Sequence, residues 1–183
     1  MLLIIVPGVE LWDEKTQEFV NRKDQTLSLE HSLVSISKWE AKWHKPFINK
    51  DSGKTNEEII DYIRCMTITQ NIDEDVYKYM TSENIKSVNE YIEDTMTATW
   101  FTERKDVPKK TNQEQITSEL IYYWMIALQV PFECQRWHLN RLLTLIRICN
   151  LKNNPPKKYN KRETLSNNAA LNAARKQKLG TSG

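Results

Sequence analysis

The chain has almost no glycine. Four glycines occur in 183 residues, roughly 2% against a usual share near 7%, and residues 54–179 hold none. Turns that cradle phosphate, of the GxGxxG or GxxxxGK type, need positions without a Cβ where the backbone approaches the ligand. Dinucleotide-binding and phosphate-loop enzymes are therefore excluded. A long glycine-free interval suits helices joined by turns that carry proline, asparagine and charge.

The hydrophobic pattern divides the chain. Residues 2–6 form a short apolar run closed by Pro7-Gly8, too short for a signal segment and followed at once by Glu10, so it reads as a strand. Residues 9–12 face 18–20 across the polar turn 13–16, and 26–30 alternate with period two. The expectation is a small antiparallel sheet of three or four strands. From Ser32 the period becomes helical: Leu33, Ile36, Trp39, Trp43 and Phe47 recur every three to four residues, and Pro46 closes the stripe. Thr55 and Glu58 have capping-box spacing ahead of Ile59, Ile60, Ile63 and Met66. Shorter helices are predicted over 73–80 and 82–93, the latter with Ile85, Val88 and Ile92 inward, then an edge strand over 97–101 and a loop over 102–113. Residues 116–151 are the most hydrophobic region. Ile116, Leu120, Tyr123, Trp124, Ala127 and Leu128 mark one core helix. Phe132, Trp137, Leu142, Leu145, Ile146 and Cys149 mark a second that starts at Pro131, giving a helical hairpin.

The fold class is therefore α+β and predominantly helical. A β element over 1–31 packs on a helical body over 32–151 in the same domain, with a basic arm over 152–183. The arm carries eight basic residues against the single acidic Glu163, a net charge of +7. The remaining 18 basic and 23 acidic residues give the body −5. Within the arm, 166–178 is helix-permissive but too poor in large apolar residues to fold alone, and it contributes almost nothing to a core. Cys65, Cys134 and Cys149 are odd in number and widely spaced, which fits reduced thiols better than a disulfide framework.

Chemical motifs are sparse. Cys134 and His138 stand four apart, but zinc needs three or four ligands and no second pair has the spacing; they read as a thiol and an imidazole at the edge of a core. No nucleophile sits at a glycine-bearing elbow, and the histidines show no orienting motif. The chain is read as non-enzymatic, without metal or cofactor. Trp39, Trp43, Trp124 and Trp137 have the spacing of core aromatics. Their alternative role is a partner groove, with Arg136, Arg141 and Arg147 supplying a cationic face along the helix of Trp137. In the arm, Lys157, Lys158, Arg162, Arg175 and Lys176 could meet an acidic protein surface or nucleic acid.

Three stretches carry a resemblance when taken together. They are 27–47, with Trp39-Glu40-Ala41-Lys42-Trp43-His44-Lys45-Pro46-Phe47; 122–143, with Tyr122-Tyr123-Trp124-Met125, Val130-Pro131-Phe132 and Arg136-Trp137-His138; and 168–178, with its paired alanines and Arg175-Lys176. In order and spacing the chain resembles, from Leu27 onward, the tail assembly chaperones of tailed bacteriophages. That resemblance implies a small helical protein of the infected host's cytoplasm. Such a protein binds the long helical tape measure protein, or other phage structural proteins, while tail tube subunits polymerise around it. A homo-oligomer is compatible with this role; a membrane is not implied. The N-terminal β element and the basic arm leave two alternatives open: a structural virion protein of the neck, connector or capsid, and a nucleic-acid-binding accessory protein acting through the arm.

Overall fold

A computed structural model of the chain describes residues 1–13, 17–49, 53–101, 115–153 and 161–180. The loop predicted at 102–113 lies outside the described residues. Two compact units are present, Met1–Cys149 and Asn150–Gly183.

The first unit opens with four strands, β1 (Leu2–Val6), β2 (Glu10–Asp13), β3 (Glu18–Asn21) and β4 (Gln25–Leu29). β1 pairs antiparallel with β4, and β2 with β3. Leu2 lies opposite Leu29, Val6 opposite Gln25, Glu10 opposite Asn21 and Asp13 opposite Glu18. A single register thus runs through both ladders, which are successive lengths of one hairpin broken at 7–9 and 22–24. This replaces the predicted sheet of three or four strands. Gly8 sits at the break, where its N–H donates to Asp24 Oδ1 at 2.7 Å. A Cβ there would lie 2.1 Å from the Arg22 carbonyl oxygen, so the close approach requires glycine. Ile4, Val6, Leu27 and Leu29 face the core while Leu3 and Ile5 face outward, as alternation demands.

Ser32 caps α1 (Leu33–Trp43), which ends at His44 with φ 52°, just before Pro46. The predicted capping box is formed: Thr55 accepts from the Glu58 N–H and Glu58 accepts from the Thr55 N–H at the start of α2 (Asn56–Met66). A 3-10 turn at Glu74–Tyr79 stands where a helix was expected, and α3 spans Ser82–Glu93. Residues 97–101 join no ladder, so the expected edge strand is absent. Pro131 opens a second 3-10 turn, Phe132–Arg136, instead of the long helix. α4 (Ser118–Ala127) and α5 (Leu139–Asn153) do not pair as the expected hairpin. α1 is the hub, and α2, α4 and the second 3-10 turn all pack on it. The second unit contains α6, Lys161–Leu179. The fold is α+β and predominantly helical.

The buried face of α2 differs from the predicted one. Ile63 and Met66 are inside, but Glu58, Asp61 and Tyr62 join them while Ile59 and Ile60 are only partly covered. In α3, Val88 is buried with Tyr91, and Ile85 and Ile92 are partly covered.

Four elements meet at a buried histidine pair. The His31 and His138 rings lie 5.0 Å apart. His31 Nδ1 shares a 2.5 Å hydrogen bond with the Tyr62 hydroxyl, and the His31 carbonyl accepts the Leu139 N–H at 2.7 Å. His138 Nε2 donates to the Tyr91 carbonyl at 2.9 Å, and its Nδ1 accepts the Asn140 N–H at 3.3 Å. Both His138 nitrogens are thus used by the neutral ring, which acts as an N-cap of α5. Burial, with the facing His138, holds His31 down at about 3, and burial also lowers His138. An unfolded histidine binds a proton below 6.5, whereas folded His31 does not until about 3. Stability is therefore fully present above pH 6.5 and is lost progressively as pH falls from there toward 3. Denaturant titrations should show a loss of about 2 kcal/mol between pH 7 and pH 5 from His31 alone. His31→Gln should remove most of that slope; a stability independent of pH over this range would contradict the assignment.

The shortage of glycine has a local cost. Gln129 has φ 54°, closing α4 with its own N–H on the Ile126 carbonyl and the Val130 N–H on the Met125 carbonyl. Left-handed geometry costs a residue with a Cβ about 1–2 kcal/mol, partly offset by the greater entropy glycine loses. Gln129→Gly should raise stability by about 0.5–1 kcal/mol, read from the denaturation midpoint.

Candidate partner-binding surface

α4 has apolar side chains on almost every face, a composition that usually signals a fully buried helix. Its N-terminus is anchored twice. Thr117 accepts the Leu120 N–H at 3.4 Å, and the buried Glu40 of α1 accepts the Ser118 N–H through Oε2 at 2.7 Å. A carboxylate at this end also opposes the helix dipole favourably. Held there, α4 turns Ser118, Ile121 and Met125 into the core. The opposite side is left open: Tyr123 is 63% exposed, Ile126 62%, and Phe132, just beyond the helix, 53%. The predicted inner face was centred on Tyr123 and Trp124. Tyr123 is instead outward and Trp124 half-buried against the core. No lysine or arginine occurs in residues 115–135, and the charged residues there are Glu119 and Glu133, both exposed. Within its own segment the apolar stripe is therefore accompanied by acidic charge.

The aromatic residues proposed for binding are divided among different roles. Trp39 is fully buried, and its indole N–H donates to the Glu58 carbonyl at 2.9 Å. Trp43 donates to Asp61 Oδ2 at 2.9 Å, beside the Lys42–Asp61 ion pair. Both tryptophans therefore belong to the joint between α1 and α2. Arg136 and Trp137 precede α5 rather than sharing a helix with Arg141 and Arg147. Arg136 is exposed and lines a groove with Lys38, Val34 and Ile68. The Arg141 guanidinium lies 4.4 Å from the Trp137 ring centroid and that of Arg147 4.0 Å from Phe101. Lys157 and Lys158 lie outside the described residues. Arg162, Arg175 and Lys176 belong to α6, with Arg175 and Lys176 exposed. Tyr123, Ile126 and Phe132 were not singled out as surface residues from sequence. The available signal was the missing polar face of α4, which shows that one side must be open or covered by a partner but not which side.

Among the described residues no group of three or more His, Cys, Asp or Glu could hold a metal ion. Cys65, Cys134 and Cys149 are free thiols; burial raises the Cys65 and Cys134 thiols above their ordinary range, so they resist becoming nucleophilic thiolates. No helix among the described residues is long and apolar enough to cross a membrane. Comparison with protein families, curated proteins and solved structures yields no match.

The open face predicts a separation of binding from stability. Replacing both Tyr123 and Ile126 by Ser should move thermal stability little, within about 0.5 kcal/mol per site, and should abolish partner capture. Met125→Ala, one residue away on the buried side, should cost about 2–5 kcal/mol. Equal destabilisation by both sets would show that the exposed side is structural.

Proposed function

We propose that this is a non-enzymatic phage morphogenesis protein, a tail assembly chaperone that holds the tape measure protein in the host cytoplasm while the tail assembles. The open apolar face of α4 is the observation that supports this reading. A helix presented on a packed scaffold, with Tyr and Phe outward and two exposed glutamates in the same segment, has the chemistry to receive the apolar stripe of a partner helix. Glu119 and Glu133 favour a stripe flanked by lysine or arginine. The basic arm adds a second contact, suited to acidic stretches of the same partner. The sequence resemblance in stretches 27–47, 122–143 and 168–178 points the same way.

A permanent virion component is the second reading, favoured by the outward side of β1, where Leu3 is 60% and Ile5 61% exposed. Quantitative mass spectrometry of purified virions separates the two. A chaperone is absent or grossly substoichiometric in the particle and co-purifies with the tape measure protein when the two are expressed together. Stoichiometric copies in the virion would overturn the chaperone assignment.

A further inference from the structure

A groove of about 320 Å³ runs between residues 95–101 and α5, on the first unit and separate from the α4 face. Asn140, the second residue of α5, helps to create it. Its side-chain amide donates to the Ile92 carbonyl at 3.0 Å and to the Asp94 carbonyl at 2.7 Å, tying the end of α3 to the start of α5. Asp94 then accepts the Met96 N–H at 2.8 Å, and Met96 takes φ 47°. The chain is thereby redirected along α5, with Thr95, Thr97, Thr99 and Phe101 all lining the groove. Trp100 lines it as well, and the segment runs along the groove without a strand partner among the described residues.

Two features of the groove point to a ligand. Trp100 is 94% exposed, and a large aromatic held in water beside a concave surface is the usual anchor of a binding site. Arg147 lies over the Phe101 ring, and no carboxylate of the described residues pairs with it. Stacking covers one flat side of a guanidinium and leaves the edge donors free for a bidentate acceptor. Leu143 and the threonine methyls complete an apolar wall.

We propose that this groove binds an extended peptide segment of a partner protein in which an aspartate or glutamate stands beside a bulky apolar residue. The carboxylate takes the edge of Arg147, and the apolar side chain lies on Trp100 and Leu143. Charge complementarity selects this occupant over single-stranded nucleic acid. A nucleic-acid channel tracks successive phosphates with several cations, whereas Arg147 is the one cation among the described residues that line the groove. The inference does not depend on the α4 reading or on a tail protein as the partner.

The test uses the full chain and two blocked twelve-residue peptides, one alternating Leu and Glu and one alternating Leu and Gln, with oligo-dT as a third probe. The readout is the Trp100 indole N–H resonance, assigned by its loss in Trp100→Phe. The Leu-Glu peptide should shift it saturably, the Leu-Gln peptide should bind at least about tenfold more weakly, and oligo-dT should leave it unmoved. Arg147→Gln should weaken the Leu-Glu peptide by about tenfold or more, as expected for a lost charged hydrogen bond. Trp100→Ala, at a fully exposed position, should weaken it with the fold intact, read from protection of the Leu-Glu complex in competition with wild type. Equal binding of the two peptides, an unchanged affinity in either variant, or a stronger response to oligo-dT would overturn the proposal. Failure here leaves the α4 face untouched, and loss of tape measure binding on mutation of α4 leaves this groove untouched.

Discussion

Glu40 is the joint on which the candidate surface depends. It is buried, 7% exposed, and its two oxygens are divided between the Phe47 N–H and the Ser118 N–H, each at 2.7 Å. A buried carboxylate without donors is strongly unfavourable, and hydrogen bonds to a charged group contribute about 1.5–3 kcal/mol each. Those two bonds fix the chain after α1 and the start of α4 to the same side chain. Once the start of α4 is fixed, its rotation follows: Ile121 and Met125 face α1, and Tyr123 and Ile126 face away.

The same device recurs on the other side of α1. Glu58 pairs with Lys45 at 2.5 Å while its backbone carbonyl receives the Trp39 indole. Asp61 receives Lys42 and the Trp43 indole. The Lys45 and Thr55 bonds hold Glu58 below the usual carboxylate range, and for Asp61 the bonds from Lys42 and Trp43 outweigh the burial that would raise it. α1 is therefore tied to its neighbours through its own Glu40 and through Glu58 and Asp61 of α2, while Leu33, Ile36 and Trp39 are fully buried.

These carboxylates explain what the sequence revealed and what it concealed. The hairpin, the two helix starts at Ser32 and Thr55, and the span of α3 follow from local rules, namely alternation, capping chemistry and the 3.6-residue period. Glu40 and Asp61 obey no local rule, and the capping box accounts for only one of the two Glu58 oxygens. Apart from that capping bond their hydrogen-bond donors lie 7 to 78 residues away, and the period alone sent Ile59 and Ile60 inward. The aromatic stripe of α1 was legible as a stripe, but whether Trp39 and Trp43 met a partner or α2 depended on that distant pairing. α4 failed for a different reason: with apolar residues on almost every face, its sequence contains almost no phase. Residues 97–101 have strand composition, yet the turn set by Asn140 and Asp94 leads them along a helix where no strand is available to pair.

The functional account reduces to the claim that the outward side of α4 is covered in use. Amide hydrogen exchange of the chain alone and in complex with the proposed partner, the tape measure protein, measures this directly. Added protection concentrated in peptides spanning 118–135, with the α1–α2 joint unchanged, is the predicted result. Unchanged exchange across 118–135 in a saturated complex would contradict it.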